Sequence, residues 1–157
     1  MLVRPKKTTY NKSQKKSHKY KVTKQSSSHN NFPVLGHYSL FASEAGVLQG
    51  KHLEIGRRII RGSLQRKGLL WVMFFPHKPF TKKAQGMMGV GKGKGAVNFF
   101  GVSIYPGQIL YELSGVSSNN AIKAFKNLQS KLPIRTQVSI KNRIVLLHQL
   151  MYKHSYS

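Results

Sequence analysis

Glycine and lysine alternate in one segment of this sequence, and that segment is the part best suited to holding phosphate groups. Gly86 to Lys92 has the spacing G-x-x-x-x-G-K of a nucleotide-binding P-loop. However, the next residue is Gly93, where a P-loop has the Ser or Thr that holds Mg²⁺, and the chain has no Asp to complete a metal site. A flexible ribbon explains the segment better, because glycine backbone N–H groups approach phosphates closely while Lys92 and Lys94 supply charge. A surface loop without function is the alternative.

Acidic side chains are too few for most enzymatic chemistry. The 157 residues include 27 Lys and Arg but three acids, Glu44, Glu54 and Glu112, for a formal charge of +24. Hydrolases, glycosidases and two-metal enzymes place at least two carboxylates together. The chain has no Cys, and its seven His lack metal-ligand spacing, so we expect no enzyme, no metal site and no cofactor. No apolar run approaches the roughly 18 residues of a membrane span. Nucleic acid is the polyanion expected to neutralise the charge.

Two basic segments must position this charge. Residues 1–33 are rich in Lys and poor in large apolar side chains, which predicts an arm rather than part of a core. Residues 48–67 repeat apolar side chains near a 3.6 period, which predicts a helix ended by Gly68. Glu54 is the one acid in this helix, so at least four of its cations are left for a phosphate partner, with a solvated face as the alternative. The candidate phosphate-binding residues are Arg4, Lys6, Lys7, Lys12, Lys15, Lys16 and Lys19 in the arm and Arg57, Arg58, Arg61, Arg66 and Lys67 in the helix.

The remaining pattern predicts an α+β fold, a small mixed or antiparallel sheet with two packed helices, plus the basic N-terminal arm and the long Gly-Lys loop. The apolar run Leu69–Phe75 is expected at the centre of the sheet, and residues 77–95 are expected to be irregular. Pro106-Gly107 is expected to join two strands into a hairpin. The other predicted elements are strands at 34–41, 97–105, 108–113 and 136–140 and a helix from Ser117 or Ser118 to about Lys131. The predicted organisation is an arm at 1–33, a domain at 34–140 and an unassigned extension at 141–157.

Several short motifs, taken in order, resemble one family. They are Met1-Leu-Val-Arg-Pro-Lys-Lys-Thr8, the basic helix, Phe75-Pro-His-Lys-Pro79, Gly91-Lys-Gly-Lys-Gly95, Pro106-Gly-Gln-Ile-Leu-Tyr-Glu112 and Lys131-Leu-Pro-Ile-Arg-Thr136. Over residues 1–20 and 46–138 the chain resembles the large-subunit ribosomal protein family uL16. The resemblance implies an α+β protein bound to ribosomal RNA (rRNA) beside the peptidyl transferase centre, where RNA does the chemistry.

The resemblance also implies partners and roles for particular residues. The expected partners are large-subunit rRNA, the aminoacyl (A-site) tRNA and neighbouring large-subunit proteins, without a homo-oligomer. The basic residues of the arm and helix would contact rRNA. The residues expected to lie near tRNA are Gly91, Lys92, Gly93, Lys94 and Gly95.

The chain departs from the family pattern at two places. Family members have Arg-Met-Gly before Lys-Gly-Lys-Gly, where this chain has Met87-Met-Gly-Val-Gly91, and His77 stands where they have Asp. Because the match begins at Met1, we expect a mature arm rather than a transit peptide, made in the compartment where it works. The departures favour a mitochondrial ribosome, with a plastid or bacterial origin as the alternative. A free-standing nucleic-acid chaperone or DNA-compacting protein is the alternative function, since a charge of +24 suits it equally.

Overall fold

The structure is a computed structural model, and it describes residues 3–8, 10–14, 33–83, 86 and 91–141. These residues include seven strands and two helices. In chain order they are β1 Tyr38–Ala42, β2 Gly46–Gln49, α1 Gly50–Ser63, β3 Leu69–Val72, β4 Lys78–Lys82, β5 Ala96–Ile104, β6 Ile109–Ser114, α2 Ser118–Gln129 and β7 Thr136–Ile140. The predicted α+β class is confirmed. The division into arm, domain and extension stays a prediction, and beyond Lys141 the extension lies outside the described residues.

The strands form two antiparallel sheets where the sequence predicts one. A four-stranded sheet has the order β3-β6-β1-β7, and a three-stranded sheet has the order β2-β5-β4. The chain changes sheet four times: between β1 and β2, between β2 and β3 through the helix α1, between β3 and β4, and between β5 and β6. Strands that are neighbours in the sequence therefore belong to different sheets in four places, which the order of strands and turns in the sequence does not indicate. The last strand, β7, lies at the edge of the four-stranded sheet.

The predicted hairpin at Pro106-Gly107 is wrong in its pairing, although both of its strands exist. The turn itself forms, because the Gln108 N–H donates to the Tyr105 carbonyl (3.1 Å) and Gly107 has φ +82°. The strands then separate, since the Gly107 N–H donates to the Ala42 carbonyl (2.7 Å) and the Ala42 N–H donates to the Gln108 carbonyl (2.9 Å). The end of β1 therefore binds the turn, and β6 pairs with β1 instead of β5.

The apolar run 69–75 does not lie at the centre of a sheet. Its first four residues form β3, an edge strand, and Leu69 and Phe75 are 60% and 49% exposed. Phe74 is buried and packs edge-on against Tyr111, with ring centroids 5.5 Å apart. The run therefore has apolar side chains on both of its faces, and one face is buried. Composition alone does not show which face that is.

Residues 77–95, predicted to be irregular, contain the strand β4. It pairs with β5 at the edge of the three-stranded sheet, and the rings of Phe80 and Phe99 stack 5.1 Å apart. Pro79 conceals this strand from sequence analysis, because proline lacks the N–H that a central strand needs and is tolerated at an edge.

The two helices pack on each other and on the four-stranded sheet. Ile60 of α1 and Phe125 and Leu128 of α2 are fully buried in one hydrophobic core. Gly56 brings α1 close to the sheet, because a Cβ at this position would lie 2.2 Å from the Tyr111 hydroxyl. The helix α1 ends at Ser63, before the predicted stop, because Gln65 takes a left-handed conformation with φ 50°.

Candidate nucleic-acid interface

All three glutamate side chains accept hydrogen bonds within the chain, two of them buried and one, Glu44, exposed. Glu112 is fully buried and accepts hydrogen bonds from the backbone N–H groups of residues 34–36, at 3.2, 2.7 and 2.7 Å. Glu44 accepts a bond from the backbone N–H of Arg135 at 2.7 Å. Glu54 is a buried residue of the helix α1, and its carboxylate binds arginines of the same helix. No acid remains to neutralise the basic surface, so that surface is free to bind an anion.

Glu54 orients two of the predicted arginines on α1. Arg57 donates to both carboxylate oxygens at 3.0 and 2.8 Å, and Arg58 donates to one of them at 2.9 Å. The hydrogen bonds from Arg57, the larger cause, and from Arg58 lower the pKa of Glu54 from 4.5 to about 2. The hydrogen bond to Glu54 in turn raises the pKa of Arg57. The Arg57 and Arg58 side chains are still 50% and 66% exposed. One carboxylate therefore fixes two guanidinium groups that remain accessible to phosphates.

The remaining basic residues of this region form no ion pair with a described residue. Arg61 lies one turn beyond Arg57 and Arg58, on the same side of α1, and it is half-buried. Arg66 and Lys67 follow the helix and are exposed. The prediction that at least four cations are left uncompensated is wrong by one, because Glu54 binds both Arg57 and Arg58. By contact, three of the five lack a carboxylate partner.

The basic arm reaches the beginning of α1. A Cβ added at Gly50 would lie 2.5 Å from the Val3 carbonyl oxygen, so the start of the arm packs directly on the first residue of the helix. The predicted arm residues in the described part are all exposed: Arg4, Lys6, Lys7 and Lys12. The other three, Lys15, Lys16 and Lys19, lie outside the described residues.

The arm also contacts the Gly-Lys loop, a contact that the sequence does not predict. The Lys12 ammonium group donates to the Lys94 carbonyl at 2.9 Å, and the Lys94 ammonium group donates to the Ser13 carbonyl. The Ser13 hydroxyl donates to the Pro79 carbonyl at 3.4 Å. These residues are 66 to 82 positions apart in the chain, so no local pattern could indicate the contact. Two sets of predicted site residues are thus brought to one place.

The Gly-Lys loop joins β4 to β5 and is exposed from Gly91 to Lys94. The Lys83 ammonium group, which belongs to none of the predicted site sets, donates to the Gly91 carbonyl at 2.9 Å. A Cβ at Gly95 would lie 2.5 Å from the Lys82 carbonyl oxygen, so this position needs glycine. A P-loop joins a strand to a helix, whereas this loop joins two antiparallel strands. The geometry therefore disagrees with a nucleotide-hydrolysing site.

Histidine and the helices offer no other ligand site in the described ranges. The His52 side chain accepts a hydrogen bond from the Gln49 N–H at 3.1 Å and so caps α1, and its pKa is lowered by burial and then by Lys51. No group of three or more His, Asp or Glu within the described part could hold a metal ion. Among the same residues, no helix has the length and apolarity to cross a membrane.

Comparison with known proteins agrees with the resemblance noted in the sequence. Residues 5–139 match the model of the family described as ribosomal protein L16p/L10e. The chain belongs to the L16p/L10e family of ribosomal proteins. The large ribosomal subunit protein uL16 of Alkalilimnicola ehrlichii is 37% identical over 135 residues, which cover 86% of this chain and 94% of that protein. The protein uL16c of Citrus sinensis is 38% identical over 140 residues, covering 89% and 98%.

Membership of the family confirms the expectation of a non-enzymatic ribosomal protein. The match includes the described arm from Pro5 onward, the helix α1, the loop and the strand β7. Relatives from a bacterium and from a plant are similarly identical to the chain, so identity favours none of the three compartments considered above.

Proposed function

We propose that this member of the L16p/L10e family is a structural constituent of the large ribosomal subunit that binds rRNA near the peptidyl transferase centre and assists accommodation of aminoacyl-tRNA. The observation that carries the proposal is the placement of charge. Each of the three acids accepts hydrogen bonds from other residues of the chain. The arm, the α1 face and the loop expose cations without carboxylate partners among the described residues, apart from Arg57 and Arg58. Such a surface suits RNA, whose phosphates it neutralises.

The proposed work is divided between two parts of the interface. The arm and the α1 face bind rRNA phosphates, which lets RNA segments pack where their backbones would repel one another. The loop residues Lys92 and Lys94 hold the incoming A-site tRNA by charge. Contacts of this kind fix position without reading sequence, which suits a site that every aminoacyl-tRNA must use. In this proposal residues 1–33 are the arm, 34–140 the rRNA-binding domain and 141–157 an extension, and a single copy contacts neighbouring large-subunit proteins.

We also propose a mitochondrial ribosome as the location. The departures at Met87–Gly91 and at His77 support it, because they change positions within the motifs that otherwise follow the family pattern. Immunodetection in purified mitochondrial, plastid and soluble fractions tests the location. Recovery with ribosomes of the plastid or the soluble fraction would refute it without touching the ribosomal role.

The test of function is sedimentation of an extract through sucrose at rising salt, with this protein followed against the large subunit. We expect one copy per large subunit, released at a salt concentration high enough to break many phosphate contacts. A free-standing chaperone or DNA-compacting protein would instead migrate with DNA or as free protein. The match over residues 5–139 favours the ribosomal outcome, because a compaction protein needs charge but no particular fold.

A further inference from the structure

The arm and the Gly-Lys loop are joined by a small junction, which we call the clasp, made of Lys12, Ser13 and Lys94 with the Pro79 carbonyl. The contact is reciprocal: Lys12 donates its ammonium group to the backbone of Lys94, and Lys94 donates its own to the backbone of Ser13. The Ser13 hydroxyl ties the same junction to β4 through the Pro79 carbonyl at 3.4 Å. Three segments distant in sequence therefore meet at one point.

The clasp is the contact that holds the middle of the described loop. The ends of the loop are fixed separately, by Lys83 on the Gly91 carbonyl and by the close approach of Gly95 to Lys82. Between them, a Cβ at Gly91 or Gly93 would meet nothing within 4 Å. No side-chain packing therefore positions the glycines, and the loop conformation depends on hydrogen bonds from exposed lysines.

Neither ammonium group of the clasp has a carboxylate partner among the described residues. Each donates to a neutral carbonyl, and the chain's three acids are engaged elsewhere, with Arg135, with the arginines of α1 and with residues 34–36. A phosphate group has several acceptor oxygens and a negative charge, so it can bind both ammonium groups at once. Phosphate binding therefore favours the closed clasp over an open one.

We propose that the clasp closes on a single phosphate group of RNA, so that RNA bound by the arm also fixes the position of the Gly-Lys loop. The inference rests on the proposed function and assigns to Lys12 a positioning role in addition to its charge. In the closed state the loop presents Lys92 and the glycines in one arrangement. In the absence of phosphate the clasp opens more often, and the loop loses that arrangement.

Amide hydrogen exchange of the full-length protein, measured by NMR, tests the proposal. The probes are pyrophosphate and a short single-stranded RNA oligonucleotide, each compared with chloride at equal ionic strength. Either probe should slow the exchange of residues 93–95 by about two- to ten-fold, the effect of strengthening one hydrogen-bonded contact. The Lys12→Ala variant should lose this slowing, and Lys12→Arg should retain it, because arginine keeps both the charge and the N–H donors.

The matched control is Lys123→Ala, which removes the same charge from an exposed residue of α2 whose side chain makes no hydrogen bond to a described residue and which belongs to none of the predicted site sets. It should leave the slowing intact. Equal loss in Lys123→Ala and Lys12→Ala would overturn the clasp, because it would show that total charge alone acts. An absence of slowing in the unchanged protein would overturn it as well. Slowing by RNA but not by pyrophosphate would also overturn the single-phosphate site.

Unchanged exchange in α1 and β6 shows that each variant is folded. Because the assay needs no ribosome, it can fail while the protein still sediments with large subunits, which separates failure of the clasp from failure of the proposed function.

Discussion

Replacing Glu112 by glutamine should destabilise the protein even though the two side chains have the same shape. One carboxylate oxygen, Oε2, accepts the N–H groups of Leu35 and Gly36, both at 2.7 Å, and Oε1 accepts that of Val34 at 3.2 Å. Glutamine has a single acceptor oxygen. If it keeps the two short bonds, its NH₂ group faces the Val34 N–H, and two donors are left opposed.

The magnitude follows from the number of bonds. Two bonds to a charged acceptor become bonds to a neutral one, which loses about 1 kcal/mol each, and the N–H of the exposed residue Val34 loses a bond worth about 1 kcal/mol. The neutral amide is less costly to bury than the fully buried carboxylate, which offsets part of this loss. We expect a net loss of about 2 kcal/mol in the free energy of unfolding, the balance of these opposing contributions.

Urea denaturation measures this loss as a midpoint about 1 M lower with an unchanged slope, since small proteins lose about 1–3 kcal/mol per molar urea. The control is Glu44→Gln, at an exposed side chain with one backbone bond that the glutamine oxygen can accept, and it should change stability by less than about 0.5 kcal/mol. Equal midpoints for the two variants would refute the argument that the three N–H groups require a carboxylate.

Three further predictions concern the interface. Lys92→Ala combined with Lys94→Ala should weaken aminoacyl-tRNA binding to the large subunit while assembly continues, and normal tRNA affinity in filter binding would contradict the role of the loop. Arg61→Ala should reduce the slope of log affinity for rRNA against log salt by about 0.7–0.9, the contribution of one phosphate contact, whereas Ser63→Ala on the same helix should not change it. Glu54 is ionised in the folded protein down to a pKa of about 2 but titrates near 4.5 when unfolded, so its contribution to stability is present above pH 4.5 and is lost as the pH falls towards 2. Thermal unfolding of Glu54→Gln should therefore lose part of the acid dependence seen in the unchanged protein.

The sequence predicts local elements well and their pairing poorly. The helices α1 and α2 follow from apolar side chains at a 3.6 period, which is typical of a helix with one face on the core. The pairing of β6 with β1 does not follow, because a tight turn at Pro106-Gly107 favours a hairpin equally. The pairing of β3 with β6 likewise decides which residues of Leu69–Phe75 face the core. The sequence does not indicate that face, because all seven residues are large and apolar.

The candidate site divides in the same way, between residues and their arrangement. The chemistry is visible in the sequence because lysine, arginine and glycine have few other uses in segments without apolar residues. The sequence does not show that these residues lie close together, because Lys12 and Lys94 are 82 positions apart. The arm has no apolar periodicity, and no side chain packs on Gly91 or Gly93 of the loop, so no local pattern indicates the contact. The acids supply the missing constraint. With three glutamates for 27 cations, and each glutamate accepting hydrogen bonds within the chain, the contacts that stabilise this fold leave most of its positive charge without a carboxylate.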